Sequence, residues 1–315
     1  MSEKLIAVVG ATGAQGGGLA RAILADSAGA FAVRALTRDP GSDAAKTLAD
    51  QGAEVVRADL DQPDTLQRAF DGVHGAFLVT NFWEHFSPEK EIEQARSMAE
   101  AAAARGVSHV IWSTLEDTRT WVPLSDDRMP TLMERYKVPH YDGKGEADAV
   151  FEELGVPTTF LVTSFYWDNM IHFGMGPKPG PDGTLALTYP LGEAKLPGMA
   201  AEDIGKCALG VLKGGKAYLR RRVGIAGEFL TGKEMAAALS DALGQEVRYN
   251  DVPPEVYRRF GFPGADDLGN MFQVKRDFNE QYCAGRDLEL ARKLNPELQT
   301  FRDWLSQNKD RIPLE

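Results

Sequence analysis

Leu5-Ile6-Ala7-Val8-Val9-Gly10-Ala11-Thr12-Gly13-Ala14-Gln15-Gly16-Gly17-Gly18 is the stretch that decides the fold. Five apolar residues make a run the length of a buried strand, and the run breaks directly into a glycine-rich turn. The Ala-rich segment after it, residues 17–25, has helical period. Strand, glycine turn and helix in that order open a βαβ unit, and each glycine has a physical reason there. Gly10 permits the tight turn, Gly13 lets backbone N–H groups come close to a pyrophosphate, and Gly16 lets the helix lie against the strand. The helix N-terminus adds partial positive charge. Gly10, Thr12, Gly13, Ala14, Gln15 and Gly16 are therefore assigned to a bound dinucleotide.

Working outward, the same alternation continues. Strands are expected over residues 5–9, 32–37, 54–58, 75–80, 109–113 and 158–162, with helices over 17–25, 44–51, 63–70, 87–105 and 145–154. A crossover helix after each strand makes the strands parallel and the connections right-handed, which gives an α/β, doubly wound Rossmann sheet in the order 3-2-1-4-5-6. After Val162 the rhythm changes. Residues 174–183 are dense in Gly and Pro, and a polar, hairpin-like stretch runs on to Leu196. We expect a Rossmann domain over 1–164 and a smaller α/β C-terminal lobe over 165–315, with a strand near 220–228 returning to the main sheet. Thr231 should open a helix over 232–243. The amphipathic tail from Pro253 is broken at Gly261-Phe262-Pro263-Gly264 and closes on a helix over 301–308.

The composition narrows the function classes. The 315 residues are 43% hydrophobic and 26% charged, with a net charge of -11, which suits a globular chain and disfavours direct nucleic-acid binding. The local basic run Arg220-Arg221-Arg222 reads as a solvated strand edge. The opening Met-Ser-Glu-Lys lacks a secretory pattern, and no apolar run approaches the ~20 residues of a bilayer span, so a cytoplasmic chain without membrane partners is expected. Cys207 and Cys283 are far apart and have no ligand-like partners at metal spacing, so no disulfide or metal site is assigned.

The end of the second strand discriminates between dinucleotides. It reads Thr37-Arg38-Asp39-Pro40. A guanidinium at Arg38 would pair with a 2′-phosphate and points to NADP(H), whereas Asp39 could instead accept from the ribose hydroxyl of NAD(H). Asp59-Leu60 is placed to meet the adenine, and Thr80-Asn81-Phe82 to lie along the nicotinamide ribose.

At these residues the chain resembles the NmrA-like family of atypical short-chain dehydrogenase/reductase relatives, and within it the HSCARG-type NADPH sensors. The resembling stretches are Gly13-Ala14-Gln15-Gly16-Gly17, Thr37-Arg38-Asp39-Pro40, Thr80-Asn81-Phe82-Trp83-Glu84, Asp142-Gly143-Lys144-Gly145-Glu146, Gly261-Phe262-Pro263-Gly264-Ala265 and Asn270-Met271-Phe272. The resemblance implies cofactor contacts at the glycine turn, Arg38, Asp59, the Thr-Asn-aromatic segment, Lys144, and Tyr166 and Asn169 within Tyr166-Trp167-Asp168-Asn169. It also implies a Tyr-x-x-x-Lys proton-transfer pair. Lys144 is present, but the position four before it is His140.

Three residues are candidates for catalysis: Lys144, His140 and Ser113. His140 is either a proton donor in place of the phenol or a loop histidine beside a helix start. Ser113 either orients a substrate or simply ends the fifth strand. Residues 118–138 either form a lid over the nicotinamide or pack their own aromatics. The leading functional reading is an NADP(H) sensor whose partner protein reads the NADPH/NADP+ ratio. The alternative is an NADPH-dependent oxidoreductase of a small carbonyl, quinone or enone substrate. A third is an interaction module with a structural cofactor, resting on Asn81-Phe82-Trp83.

Overall fold

The computed structural model describes residues 3–315. Its first six strands are β1 (Lys4–Val9), β2 (Phe31–Thr37), β3 (Glu54–Arg57), β4 (Gly75–Leu78), β5 (His109–Thr114) and β6 (Thr158–Val162). Between them run α1 (Ala14–Leu24), α2 (Asp43–Asp50), α3 (Pro63–Ala69), α4 (Pro88–Ala104) and α5 (Pro139–Glu153). These strands pair in parallel in the order 3-2-1-4-5-6, as the alternation implies. Both faces of the sheet are covered, so side chains of both parities are buried. Ile6 and Val8 face a core shared with α1 and α2, and Ala7 and Val9 face one shared with α3, α4 and α5.

The chain then builds β7 (Phe165–Tyr166), α6 (Asn169–His172), β8 (Lys178–Pro179), β9 (Leu185–Tyr189), β10 (Lys195–Met199) and α7 (Ala201–Gly214). It continues through β11 (Arg222–Gly224), β12 (Glu228–Thr231), α8 (Gly232–Leu243), β13 (Val247–Asp251) and α9 (Pro254–Tyr257). The closing helices are α10 (Ala265–Asp277), α11 (Asn279–Ala284), α12 (Leu288–Leu294) and α13 (Phe301–Asn308). β11 pairs in parallel with β6 as the seventh strand of the main sheet. Two small sheets, β12-β10-β7 and β13-β9-β8, form the lobe. Thr231 caps α8 through a reciprocal pair with Glu234, which satisfies backbone donors at the helix start.

Chain segments pass between the two cores on either side of position 164. Ile204, Cys207 and Val211 of α7, with Ala291 and Leu294 of α12, pack under the Rossmann sheet. Leu115, Val122, Met129, Val138 and Tyr141 pack in the lobe core. The stretch after Gly183 is not a hairpin through Leu196: β9 and β10 belong to different sheets. The reversal lies one step earlier, where β8 and β9 pair antiparallel and Gly180 N–H donates to the Thr184 carbonyl.

Two helix starts lie earlier than the sequence indicates. α1 begins at Ala14, because the turn is already helical when Gly17 N–H reaches the Gly13 carbonyl at 3.0 Å. α5 begins at Pro139, six residues before the expected start at 145. Gly143 and Gly145 lower local helix propensity there and hide the boundary. Tertiary packing requires them: a Cβ on Gly145 would lie 2.4 Å from the Asp117 nitrogen. His140 and Lys144 consequently sit one turn apart on one helix, and His140 is not a loop residue.

Segment 118–138 is fixed inside the lobe. Asp142, in the first turn of α5, accepts from the backbone N–H of Thr118 at 2.8 Å, Lys137 at 2.7 Å and Val138 at 3.0 Å, holding both ends of the segment. Tyr136, Val122 and Met129 are buried, and Trp121 stacks on Phe278.

Candidate active site

The carboxyl ends of β1, β2, β4 and β6 open on a cleft of about 950 Å³ that runs from the glycine turn to the lobe. Open parallel sheets bind ligands at this edge, where strand order reverses. Every residue assigned to the cofactor lines it: Gly10, Thr12, Gly13, Ala14, Gln15, Gly16, Arg38, Asp59, Leu60, Thr80, Asn81, Phe82, Lys144, Tyr166 and Asn169.

The glycine turn fits a pyrophosphate by two observations. A Cβ on Gly16 would lie 2.5 Å from the carbonyl oxygens of both Val9 and Gly10, so only glycine lets α1 start this close to β1. Gly13 provides no side-chain cap and the first turn of α1 carries no acidic residue, leaving the N–H groups of Ala14, Gln15 and Gly16 for a ligand.

Arg38 projects from the end of β2 and pairs with Glu84 of the short 3-10 turn Phe82–Glu84. The hydrogen bond and charge of Glu84 raise the guanidinium pKa above its ordinary value. The Asp39 carboxylate accepts from Gly41 N–H at 2.9 Å within its own turn. Asp59 is similarly occupied, accepting from Asp61 N–H at 3.1 Å and the Gln62 amide at 3.1 Å. Lys90 of α4 pairs with Asp61 at 2.9 Å, and hydrogen bonds from Gln94 and Lys90 lower the Asp61 pKa.

Lys144 projects from α5 toward the end of β4. Its ammonium donates to Thr80 Oγ1 at 2.6 Å and to the Thr80 carbonyl at 3.2 Å, and it pairs with Glu91 at 3.2 Å. Glu91 is fully buried, and its Oε1 has no partner among the described residues. One turn earlier, His140 Nδ1 lies 2.6 Å from Asp267 Oδ1, and His140 N–H donates to Asp267 Oδ2 at 3.1 Å. Asp267 stands in the first turn of α10, so this pair joins the Rossmann half to the lobe. The imidazole lies against Trp83 at 4.9 Å and Phe82 at 6.0 Å between ring centroids. With Nδ1 engaged, Nε2 is the nitrogen left for a ligand in the cleft.

Ser113 is not at the cleft surface. It is buried, and its hydroxyl donates to Gln15 Oε1 at 2.7 Å, while the Gln15 amide donates to the Tyr166 hydroxyl at 2.8 Å. Tyr166 also meets Thr163 at 3.1 Å, and burial pushes its phenol up to about 12. Ser113 therefore positions Gln15 and Tyr166 and has no free reach to a substrate. No residue of segment 118–138 lines the cleft, so the lid reading does not hold. The far wall is instead apolar and comes from the lobe: Phe173, Met175, Phe262, Leu268 and Met271. Gly264 brings that wall against Trp83 and Phe86, with a notional Cβ 2.8 Å from the indole.

Sequence reading missed Glu91 and Asp267, although each leaves a trace. Glu91 shares the helical stripe of Ala95, Met98, Ala99 and Ala102, and Asp267 shares that of Met271 and Val274; a carboxylate on an apolar stripe marks a buried partner. Among the described residues no His, Cys, Asp and Glu cluster could hold a metal ion, and no helix is long and apolar enough to cross a membrane. Cys207 is buried under α12, and burial raises its thiol pKa; burial likewise raises that of Cys283.

A family model described as the NmrA-like family matches residues 2–305. The chain belongs to the NmrA-like family. Among its relatives are two fungal proteins named as NmrA-like family domain-containing oxidoreductases. FrzB of Cladobotryum sp is 29% identical, the match covering 89% of this chain and 86% of the relative. The other, cpsB of Aspergillus campestris, is 30% identical over 89% of this chain and 85% of the relative. Among solved structures, Nmra, described as a negative transcriptional regulator, superposes with a TM-score of 0.81 at 25% identity, over 97% of this chain and 95% of that one. The Citrobacter sp. triphenylmethane reductase, solved with NADP(H), shares the fold with a TM-score of 0.74 at 22% identity, over 96% and 99% of the two chains. The relatives and neighbours of this chain thus include a protein described as a regulator and proteins named as oxidoreductases.

Proposed function

We propose that this NmrA-like chain binds NADP(H) and is an NADPH-dependent reductase of a small carbonyl, quinone or enone substrate. The observation that carries the reading is the His140–Asp267 pair at a cleft that segment 118–138 leaves open. Asp267 accepts from Nδ1–H and orients the ring, and in the imidazolium form the second proton, on Nε2, is the one that can pass to a substrate oxygen. The relatives named as oxidoreductases and the reductase solved with NADP(H) agree with it.

When bound, NADPH supplies the hydride. The chain's own residues do the rest. The N-terminus of α1 would hold the pyrophosphate, and Arg38, now paired with Glu84, would be the guanidinium available to a 2′-phosphate. Lys144, fixed by Glu91 and Thr80, would take the ribose side. His140, as the imidazolium, holds the transferable proton at Nε2 while Nδ1–H stays on Asp267, and the apolar lobe wall flanks the cleft. A panel of quinones, aldehydes and enones should give NADPH oxidation above background. Asp267→Asn should lower kcat about a hundredfold while leaving the NADPH Kd unchanged. No oxidation across the panel would remove the reductase reading.

A second reading, the NADP(H) sensor, is favoured by the absence of a phenol at position 140. A sensor must bind NADPH and NADP+ unequally, because a ligand shifts an equilibrium only through differential affinity. Equal affinities and identical scattering profiles with the two forms would end it.

A further inference from the structure

The arginine and lysine side chains lining the cleft are Arg38, Lys90, Lys144 and Lys275. The first three each pair with a carboxylate: Glu84, Asp61 and Glu91. Lys275 has none among the described residues. It projects from α10, is 1% exposed, and its only side-chain hydrogen bond among the described residues is to Met271 Sδ at 3.2 Å. Four rings enclose it: Tyr282 at 5.3 Å, Tyr141 at 5.4 Å, Phe272 at 5.7 Å and Phe165 at 5.8 Å from Nζ to centroid.

Ring faces stabilise an ammonium but accept no full hydrogen bond, so donors of Lys275 remain unmet in a low-dielectric wall. The neighbouring charges do not supply the missing anion. Arg286, stacked on Tyr282, is itself buried and paired with Glu116 at 3.0 Å, and the Tyr141 and Tyr282 hydroxyls, 3.1 Å apart, engage each other. Burial raises the pKa of both phenols, so they stay neutral.

We propose that Lys275 anchors the carboxylate of a small organic acid in the lobe wall of the cleft. The proposal narrows the substrate class and rests on the reading that the cleft takes an organic substrate. The ligand is an acid on an aromatic or alkyl frame, its reducible group lying away from the carboxylate; Tyr141, Phe165 and Met271, which also line the cleft, suit such a frame. Binding couples to protonation. Burial, and then the Arg286 charge, lower the ammonium pKa to about 7, so the anion-ready form is lost as pH rises through that value.

The test is calorimetry on the cofactor-free chain with benzoate, cinnamate and 2-naphthoate, each fully ionised at pH 6 and 8, and with methyl cinnamate as the uncharged control. At least one acid should bind about tenfold more tightly at pH 6 than at pH 8, while the ester shows no such change. Lys275→Met should abolish the preference for acid over ester and its pH dependence. Asp267→Asn should retain both, which separates Lys275 from His140. The inference is overturned if no acid binds at pH 6, if wild type binds acid and ester alike, or if Lys275→Met keeps the pH effect. The reductase reading fails by a different result, acids bound at Lys275 with no carbonyl compound oxidising NADPH.

Discussion

The two walls of the cleft hold charge in opposite ways. On the Rossmann wall each basic side chain is matched: Lys144 lies against Glu91 and Thr80, Lys90 against Asp61, and Arg38 against Glu84. On the lobe wall Lys275 sits among aromatic rings without a carboxylate. Lys144 and Lys90 are already paired without a ligand, and of the three only Arg38 has to change partner to meet a 2′-phosphate. An unmatched buried ammonium carries a standing desolvation penalty that a ligand can relieve. On the proposed reading, the paired wall serves the cofactor and the unpaired lysine serves selectivity.

The sharpest way to break the comparison is on the matched wall. Glu91→Ala leaves the Lys144 ammonium, whose side chain is 11% exposed, without its carboxylate. Removing one member of a buried pair should lower unfolding free energy by about 4 kcal/mol, read by urea denaturation at pH 7. Next in size, Gly16→Ala places a methyl group 2.5 Å from two backbone oxygens and should weaken NADPH binding about a hundredfold, or ~2.7 kcal/mol, by fluorescence titration.

On the unmatched wall the sign should invert. Lys275→Met replaces the ammonium with an apolar side chain and should raise stability at pH 7 by roughly 2 kcal/mol. The folded pKa of Lys275 is depressed from 10.5 to about 7. Its contribution is therefore present above the unfolded value and is lost as pH falls through 7, so the stability gap between variant and wild type should widen from pH 10.5 down to pH 7. An unchanged gap across that range would place Lys275 with the matched cations. The smallest effect concerns Arg38. Arg38→Ala should weaken NADPH binding about tenfold, or ~1.4 kcal/mol, and leave NADH binding nearly unchanged.

Much of the fold was legible because its signals are local. The β1–turn–α1 stretch, the apolar runs of the parallel strands and the cap at Thr231 each need only neighbouring residues. Strand order followed from chirality and crossover rules. The start of α5 was hidden because Gly143 and Gly145 oppose a helix locally and only packing against Pro88 and Asp117 selects them. That one boundary changed the site: with α5 starting at Pro139, His140 moves from a loop to the turn before Lys144. Ser113 stands at the end of the fifth strand as expected, but the direction of its hydroxyl depends on Gln15, 98 residues away in sequence.

By itself, then, the sequence determined the doubly wound sheet, the glycine turn and the set of residues along the cofactor side of the cleft, since strand pattern, turn chemistry and helix ends are short-range properties. Tertiary structure alone decided which charges meet. His140 finds Asp267 across 127 residues and Lys144 finds Glu91 across 53, while Lys275 finds rings and the Met271 thioether but no carboxylate. Pairing of buried charge depends on distance and desolvation in three dimensions, and neither quantity is written in the order of residues along the chain.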